Sequence, residues 1–132
     1  MILGVGTDLL PIERMERAMK RFGDRFAQRI FTPAEQHLCI GNKINFACFA
    51  KRFAAKEALV KALGLGMRDG IWFTDVEILN DAAGKPVMTL SGAAESRLQS
   101  MLQVSSFSNA IIHISLADDG GFALAYVILE GR

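Results

Sequence analysis

Two carboxylates in apolar surroundings are the first candidates for chemistry. Glu57 continues a helically spaced stripe of phenylalanines, formed by Phe46, Phe49 and Phe53. A carboxylate that faces a protein core is costly unless it has a partner. Asp8 ends a short apolar segment that resembles a buried strand, and strand ends are where α/β-type proteins place ligands. Two carboxylates, together with substrate phosphates and waters, are the usual way that proteins hold Mg²⁺.

Three cations lie close to Glu57 in the sequence, namely Arg52, Lys56 and Lys61. Positive charge beside a metal-binding carboxylate suits a polyphosphate substrate, because charge that develops in the transition state must be neutralised. Simpler interpretations stay open at this point. Glu57 and Lys61 are spaced for an ordinary ion pair one helical turn apart, or the helix turns all of these groups toward solvent.

Other polar positions have adequate structural explanations. Gly64 suits the end of a helix, although the sequence Gly64-Leu65-Gly66 would also let backbone approach a phosphate. Glu35 stands three residues after Thr32, with Pro33 between them, which predicts a capping box at a helix start. His113 shares one face of a predicted strand with Ile111 and Ser115, and a structural hydrogen bond is the commoner role for such a histidine.

The chain predicts an α+β fold, with helices packed on one side of a mainly antiparallel sheet. Its element order is β-α-α-α-β-β-α-β-β, and one domain is expected to span residues 1–132. The Asp118–Gly121 segment predicts a hairpin turn. The predicted strands are 2–8, 72–79, 86–90, 109–117 and 122–130, and the predicted helices are 12–29 (with a break near Gly23), 33–40, 44–63 and 91–103.

Composition limits the class of protein. Hydrophobic residues make up 51% of the 132 positions, yet no apolar run approaches the roughly 18–20 residues of a membrane span. The surplus apolar surface therefore predicts a subunit interface. The first residues lack a basic leader, so we expect a cytoplasmic protein. Cys39 and Cys48 form no CxxC motif, which argues against both zinc and a disulfide framework.

Charge is concentrated in the first predicted helix. Residues 12–30 contain six basic and three acidic side chains, whereas the whole chain has a net charge of only +1. A local basic patch on a near-neutral chain indicates one acidic partner rather than general binding of nucleic acid. The alternative is an ordinary solvated face. The basic residues that share helical spacing are Arg14, Arg17, Arg21 and Arg25.

Taken together, these motifs resemble one family, the holo-acyl-carrier-protein synthases, which are small bacterial 4′-phosphopantetheinyl transferases. The block Arg52-Phe53-Ala54-Ala55-Lys56-Glu57-Ala58 is the most specific part of the resemblance. The other matching segments follow in family order over nearly the whole chain: Gly4–Asp8 with Ile12–Arg14, Phe31–Glu35, Lys61–Gly64, Gly84–Pro86, His113–Leu116 and Ala125–Ile128.

The resemblance implies a homotrimer with active sites at the subunit interfaces. It assigns Mg²⁺ to Asp8 and Glu57. It implies that Arg14, Arg21 and Arg25 dock an acidic acyl carrier protein. The residues that it assigns to coenzyme A are Arg52, Lys61, Gly64, Gly66, Gly84, Lys85, Pro86 and His113, some of them from a neighbouring subunit.

The expected reaction is an attack by a carrier-protein serine on the β-phosphate of coenzyme A, with release of adenosine 3′,5′-bisphosphate. Lys61 would stabilise the bridging or leaving oxygen. Glu57, directly or through a metal-bound water, is the first candidate for the general base, and Glu35 through a water is the second. Two positions depart from the family pattern: Pro11 replaces a glutamate, and Leu65 replaces a threonine.

Two other functions remain compatible with the residues alone. A non-catalytic module could grip an acidic protein or nucleic acid through the basic helix, in which case nucleic-acid binding would weaken steeply with salt. An enzyme acting on another nucleotide would keep the metal site and change the substrate. Competition between coenzyme A and adenine nucleotides distinguishes the latter from the transferase.

Overall fold

A computed structural model describes residues 1–65 and 71–132. The element order is the predicted one, with a short 3₁₀ turn over Phe73–Asp75 added before the second strand. The helices are α1 (Ile12–Ile30), α2 (Pro33–Cys39), α3 (Phe46–Ala62) and α4 (Gly92–Ser105), and the strands are β1 (Ile2–Pro11), β2 (Val76–Asn80), β3 (Pro86–Leu90), β4 (Ala110–Asp119) and β5 (Phe122–Gly131).

The strands form two antiparallel sheets rather than one. β5 lies between β1 and β4 in a three-stranded sheet, and within residues 1–65 and 71–132 β2 pairs only with β3. The hairpin between β2 and β3 turns at Asp81, whose Oδ1 accepts hydrogen bonds from the backbone N–H groups of Ala83 and Lys85. The prediction was wrong at 72–75, where the carboxylate of Asp75 accepts the Trp72 N–H and forms a turn instead of a strand.

Helix α3 lies directly on β1 because both elements present small residues at their contact. A Cβ added at Gly6 would overlap the carbonyl oxygen of Ala58, and one added at Gly4 would overlap that of Ala62. Glycine is therefore required at both strand positions. This close approach fixes α3 against β1, the strand that contains Asp8 and continues to Pro11 rather than ending at residue 8 as predicted.

Two apolar clusters enclose α3. One joins α3 to α4, to the β2–β3 hairpin and to the inner face of the three-stranded sheet. The other joins α3 to α1 and α2, and contains Phe31 and Phe49 with ring centroids 4.7 Å apart. Apolar packing on both sides fixes the rotation of α3, which decides where its charged residues point.

The cysteines form a disulfide, contrary to the sequence prediction. Cys39 ends α2 and Cys48 lies in the first turn of α3, with their Cα atoms 5.4 Å apart. The intervening turn folds back, so that the Asn45 N–H donates to the Cys39 carbonyl at 2.8 Å. Nine residues of separation therefore become a direct contact, which spacing alone did not reveal.

The predicted break in α1 is confirmed at Gly23, which adopts φ 66° and ψ −150°. Such a positive φ is readily available only to glycine. The kink changes the direction of the basic helix between Arg21 and Arg25. Among the described residues, no helix is long and apolar enough to cross a membrane.

Candidate active site

Asp8 and Lys61 meet where β1 passes under the last turn of α3. Lys61 Nζ lies 3.2 Å from Asp8 Oδ1 and donates a second hydrogen bond to the Thr7 carbonyl at 2.9 Å. The Asp8 side chain is largely covered, whereas the Lys61 side chain is more than half exposed. The lysine therefore keeps an open side toward solvent, where a substrate phosphate can approach it.

Glu57 lies one helical turn before Lys61 and is half-buried. Burial raises the pKa of Glu57 above its ordinary value, the negative charge of Asp8 raises that pKa further, and Lys61 lowers it. The three side chains thus form one electrostatically coupled centre. A carboxylate with a raised pKa accepts a proton more readily near neutral pH.

The donor chemistry of this centre fits a magnesium ion. Asp8 and Glu57 supply hard carboxylate oxygens, and Mg²⁺ is commonly held by one or two carboxylates plus substrate phosphates. No group of three or more His, Cys, Asp or Glu side chains that could hold a metal occurs in the described part of the chain. Pro11 directly precedes α1 and adds no oxygen ligand from its side chain.

Lys56, the residue next to Glu57, points away from this centre into the protein. Its ammonium group donates to Glu35 Oε1 at 2.6 Å and to the carbonyls of Ile30 and Phe73 at 2.6 and 3.1 Å. All three donors of the lysine are therefore occupied. The Lys56 side chain is fully buried, so its interpretation as a cation facing the substrate is wrong.

Glu35 is the buried partner of Lys56 and has no exposed surface. The capping box with Thr32 is confirmed, since Glu35 Oε1 accepts the Thr32 N–H at 2.9 Å. The second oxygen, Oε2, accepts the Ile78 N–H at 3.0 Å. Because both oxygens are bound inside the protein, Glu35 cannot serve as the general base.

Arg52 is also buried and spans α3 and β2. Its Nε donates to the Ile78 carbonyl at 3.1 Å, and its Nη2 donates to Asn80 Oδ1 at 3.2 Å. Burial lowers the pKa of Arg52, while Glu35 opposes that shift. Asn80 ends β2, so Arg52 ties α3 to the hairpin whose turn contains Gly84, Lys85 and Pro86.

His113 lies on the outward face of β4 and pairs with Glu130. Its Nε2 is 2.9 Å from Glu130 Oε1, and Arg132 Nε donates to the other oxygen of Glu130 at 3.0 Å. Hydrogen bonds from His113 and then Arg132 lower the pKa of Glu130. Sequence analysis missed Glu130, although the diagonal spacing of antiparallel strands brings it near His113.

The remaining predicted residues occupy separate positions. Gly64 follows α3 with φ 75° and lies near Arg97, which donates to the Leu63 carbonyl at 3.0 Å. Gly66 lies outside the described residues. Arg14, Arg21 and Arg25 are exposed on α1. No hydrogen bond or ion pair within the described chain joins His113 to the Asp8–Glu57–Lys61 centre.

Comparison with known proteins identifies the family. A family model described as the 4′-phosphopantetheinyl transferase superfamily matches residues 4–127. The chain belongs to this superfamily. A holo-[acyl-carrier-protein] synthase from Brucella ovis is 45% identical over 130 residues, which are 98% of this chain and 96% of the relative. The predicted resemblance to these synthases is therefore confirmed.

Solved synthases of the superfamily share the fold. The holo-[acyl-carrier-protein] synthase of Neisseria meningitidis is 39% identical, with a TM-score of 0.79 over 98% of this chain and 99% of that one. The Helicobacter pylori synthase, solved in complex with coenzyme A, is 30% identical, with a TM-score of 0.76 over 96% of this chain and 99% of that one. The predicted α+β class is confirmed.

Proposed function

We propose that this protein transfers 4′-phosphopantetheine from coenzyme A to a serine of an apo acyl carrier protein, releasing adenosine 3′,5′-bisphosphate. The coupled centre of Asp8, Glu57 and Lys61 is the observation that supports this proposal most strongly. It combines a proton acceptor, a cation and two carboxylates that can bind a metal, and the cation, Lys61, is more than half exposed. The relatives described above include synthases named for this reaction, one of them bound to coenzyme A.

In the proposed mechanism, the carrier serine oxygen forms a bond to the β-phosphorus of coenzyme A. The bond from that phosphorus to the bridging oxygen breaks, so the adenosine bisphosphate leaves with the electron pair. Glu57 takes the serine proton as the general base. Lys61 Nζ turns from Asp8 toward the bridging oxygen and neutralises charge as the bond breaks.

We include magnesium in the proposal, with Asp8 and Glu57 as its protein ligands. The ion would neutralise the pyrophosphate charge during transfer. Adding Mg²⁺ to the protein without substrate should raise its melting temperature if it binds the folded centre. Asp8→Asn should reduce that increase, and an equal increase in both proteins would refute the ligand assignment.

The proposed binding of coenzyme A uses more than the catalytic centre. Lys61, Gly64 and Gly66 would contact the pyrophosphate, with Leu65 offering its backbone in place of a threonine hydroxyl. The Gly84-Lys85-Pro86 turn and His113 would contact the nucleotide. Since Arg52 is bonded to Asn80, we assign it to holding that turn in position.

A homotrimer with interfacial sites accompanies this proposal. The outer face of the three-stranded sheet exposes large apolar side chains that a monomer rarely leaves in water, namely Val5, Leu9, Phe122, Leu124 and Tyr126. His113 stands on the same face, opposite Ile128 in the strand register. A neighbouring copy packed there would supply His113 to a site that its own chain does not complete.

The acidic carrier protein is proposed to dock on α1 through Arg14, Arg21 and Arg25, which are exposed. We propose that residues 1–132 act as one transferase domain, since the family model matches most of them. The cytoplasm is the proposed location.

Intact-mass spectrometry of a carrier protein tests the reaction. Apo acyl carrier protein incubated with this protein, coenzyme A and Mg²⁺ should gain the mass of one phosphopantetheine group. A carrier whose acceptor serine is replaced by alanine is the matched control and should gain nothing. An unmodified wild-type carrier, with folded enzyme present, would contradict the proposed function.

A further inference from the structure

The second half of α1 borders two clefts that share one arginine. Phe22, Arg25 and Arg29 line the first cleft. Arg29 also lines the second, a cleft of about 550 Å³ whose other wall contains Trp72 and Phe73. The two clefts therefore form a continuous surface from the proposed docking residue Arg25 to the segment before β2.

Trp72 is unusually exposed for its residue type. Trp72 is 71% exposed, and Phe22, which lines the first cleft, is 58% exposed. Exposed tryptophan is enriched among the residues that dominate binding at protein interfaces. The backbone at Trp72 is also held in place. The Trp72 backbone N–H donates to the Asp75 carboxylate at 3.2 Å, and the neighbouring Phe73 ring stacks on Phe53 with centroids 5.5 Å apart.

The charge of this surface selects an acidic partner. Arg25 and Arg29 border the clefts, and no carboxylate is among the described residues that line either one. An apolar side chain with a carboxylate beside it would match both the tryptophan and the arginines. A nucleic acid fits less well, because the chain as a whole is almost neutral.

The surface also leads toward the catalytic face of α3. Phe73 stacks on Phe53, and Glu57 lies one helical turn beyond Phe53 on α3. A protein seated against Trp72 would therefore lie alongside the helix face that contains the proposed base. This continuity favours the protein substrate over an unrelated partner.

We propose that Trp72 and Arg29 form a second docking surface for the acyl carrier protein, in which Trp72 packs against an apolar side chain and Arg29 pairs with a carboxylate. The proposal rests on the transferase function. It extends carrier recognition beyond Arg14, Arg21 and Arg25 onto a second element of the fold. It also gives this chain a contact that selects among carrier proteins.

Trp72 is the one tryptophan in the sequence, so its fluorescence reports directly on the surface. Titration with a tryptophan-free carrier whose acceptor serine is replaced by alanine should shift the emission to shorter wavelength and saturate. In turnover assays, Trp72→Ser and Arg29→Ser should each raise KM for the carrier about tenfold, a typical interface loss. KM for coenzyme A should not change. Val104→Ser, at an exposed apolar position on α4, is the matched control.

The outcomes separate this surface from the function on which it rests. The proposed surface would be overturned if the carrier leaves the Trp72 emission unchanged and if Trp72→Ser and Arg29→Ser keep the wild-type KM for the carrier. Normal transfer in the same assays would leave the proposed function intact. Emission that shifts with protein concentration alone would assign Trp72 to contact with a second copy, and would also overturn the proposal. Absence of transfer to any carrier would refute the function, and the surface with it.

Discussion

Replacing Lys56 by methionine tests whether the buried ion pair with Glu35 holds the fold together. Methionine fills similar space but cannot donate to Glu35, Ile30 or Phe73. Breaking a buried ion pair by removing one partner typically costs about 3–5 kcal/mol, because the other charge stays buried. For a domain of this length, each kcal/mol lowers Tm by about 3.5 °C. We therefore expect Tm to fall by about 10–18 °C.

Thermal unfolding followed by circular dichroism, at fixed protein concentration, measures this loss. Lys20→Met is the matched control, since Lys20 forms an exposed pair with Glu16 that is worth about 0.5 kcal/mol at most. The double variant Lys56→Met/Glu35→Gln should be more stable than Lys56→Met alone, because it removes the unpaired buried charge. If Lys56→Met lowers Tm by less than about 3 °C, the reasoning is refuted. An unchanged Tm with weaker coenzyme A binding would instead support a substrate-facing lysine.

Three shorter predictions concern other parts of the molecule. In EDTA at neutral pH, Glu57→Gln should have a higher Tm than wild type, because a raised pKa means that folding disfavours the ionised carboxylate. This difference in Tm should vanish as the pH falls below the ordinary glutamate pKa, where the carboxyl is protonated in both states. A higher Tm at every pH would contradict this cause. In denaturant titration, Gly6→Ala should lower the free energy of unfolding by about 1–3 kcal/mol, because the added Cβ collides with the Ala58 carbonyl. Gly41→Ala is the control and should leave the free energy of unfolding unchanged, since no atom lies within 4 Å of a Cβ at that position. Leu124→Lys should sediment as a monomer and lose transferase activity, with Val104→Lys as control; an active trimer of Leu124→Lys would refute the proposed interface.

Local sequence patterns predicted the elements well where the signal is local. The capping box at Thr32, the break at Gly23 and the hairpin after Asp119 all depend on residues only a few positions apart. Such features need no knowledge of the rest of the fold.

Other features depend on contacts that are distant in sequence. Lys56 and Glu57 are adjacent, so spacing alone could not show which one enters the core; packing on both sides of α3 decides it. The Cys39–Cys48 contact depends on a turn that folds back between two helices. The separation of the β2–β3 hairpin from the main sheet likewise depends on tertiary packing.

Single-turnover transfer by Glu57→Gln, followed by intact mass of the carrier, tests most directly whether the Asp8–Glu57–Lys61 centre performs the chemistry. Glu95→Gln, an exposed substitution on α4, is the matched control. With both variants folded, we predict that Glu57→Gln leaves the carrier unmodified while Glu95→Gln transfers at the wild-type rate. Wild-type transfer by Glu57→Gln would contradict the assigned centre and require another group to accept the serine proton.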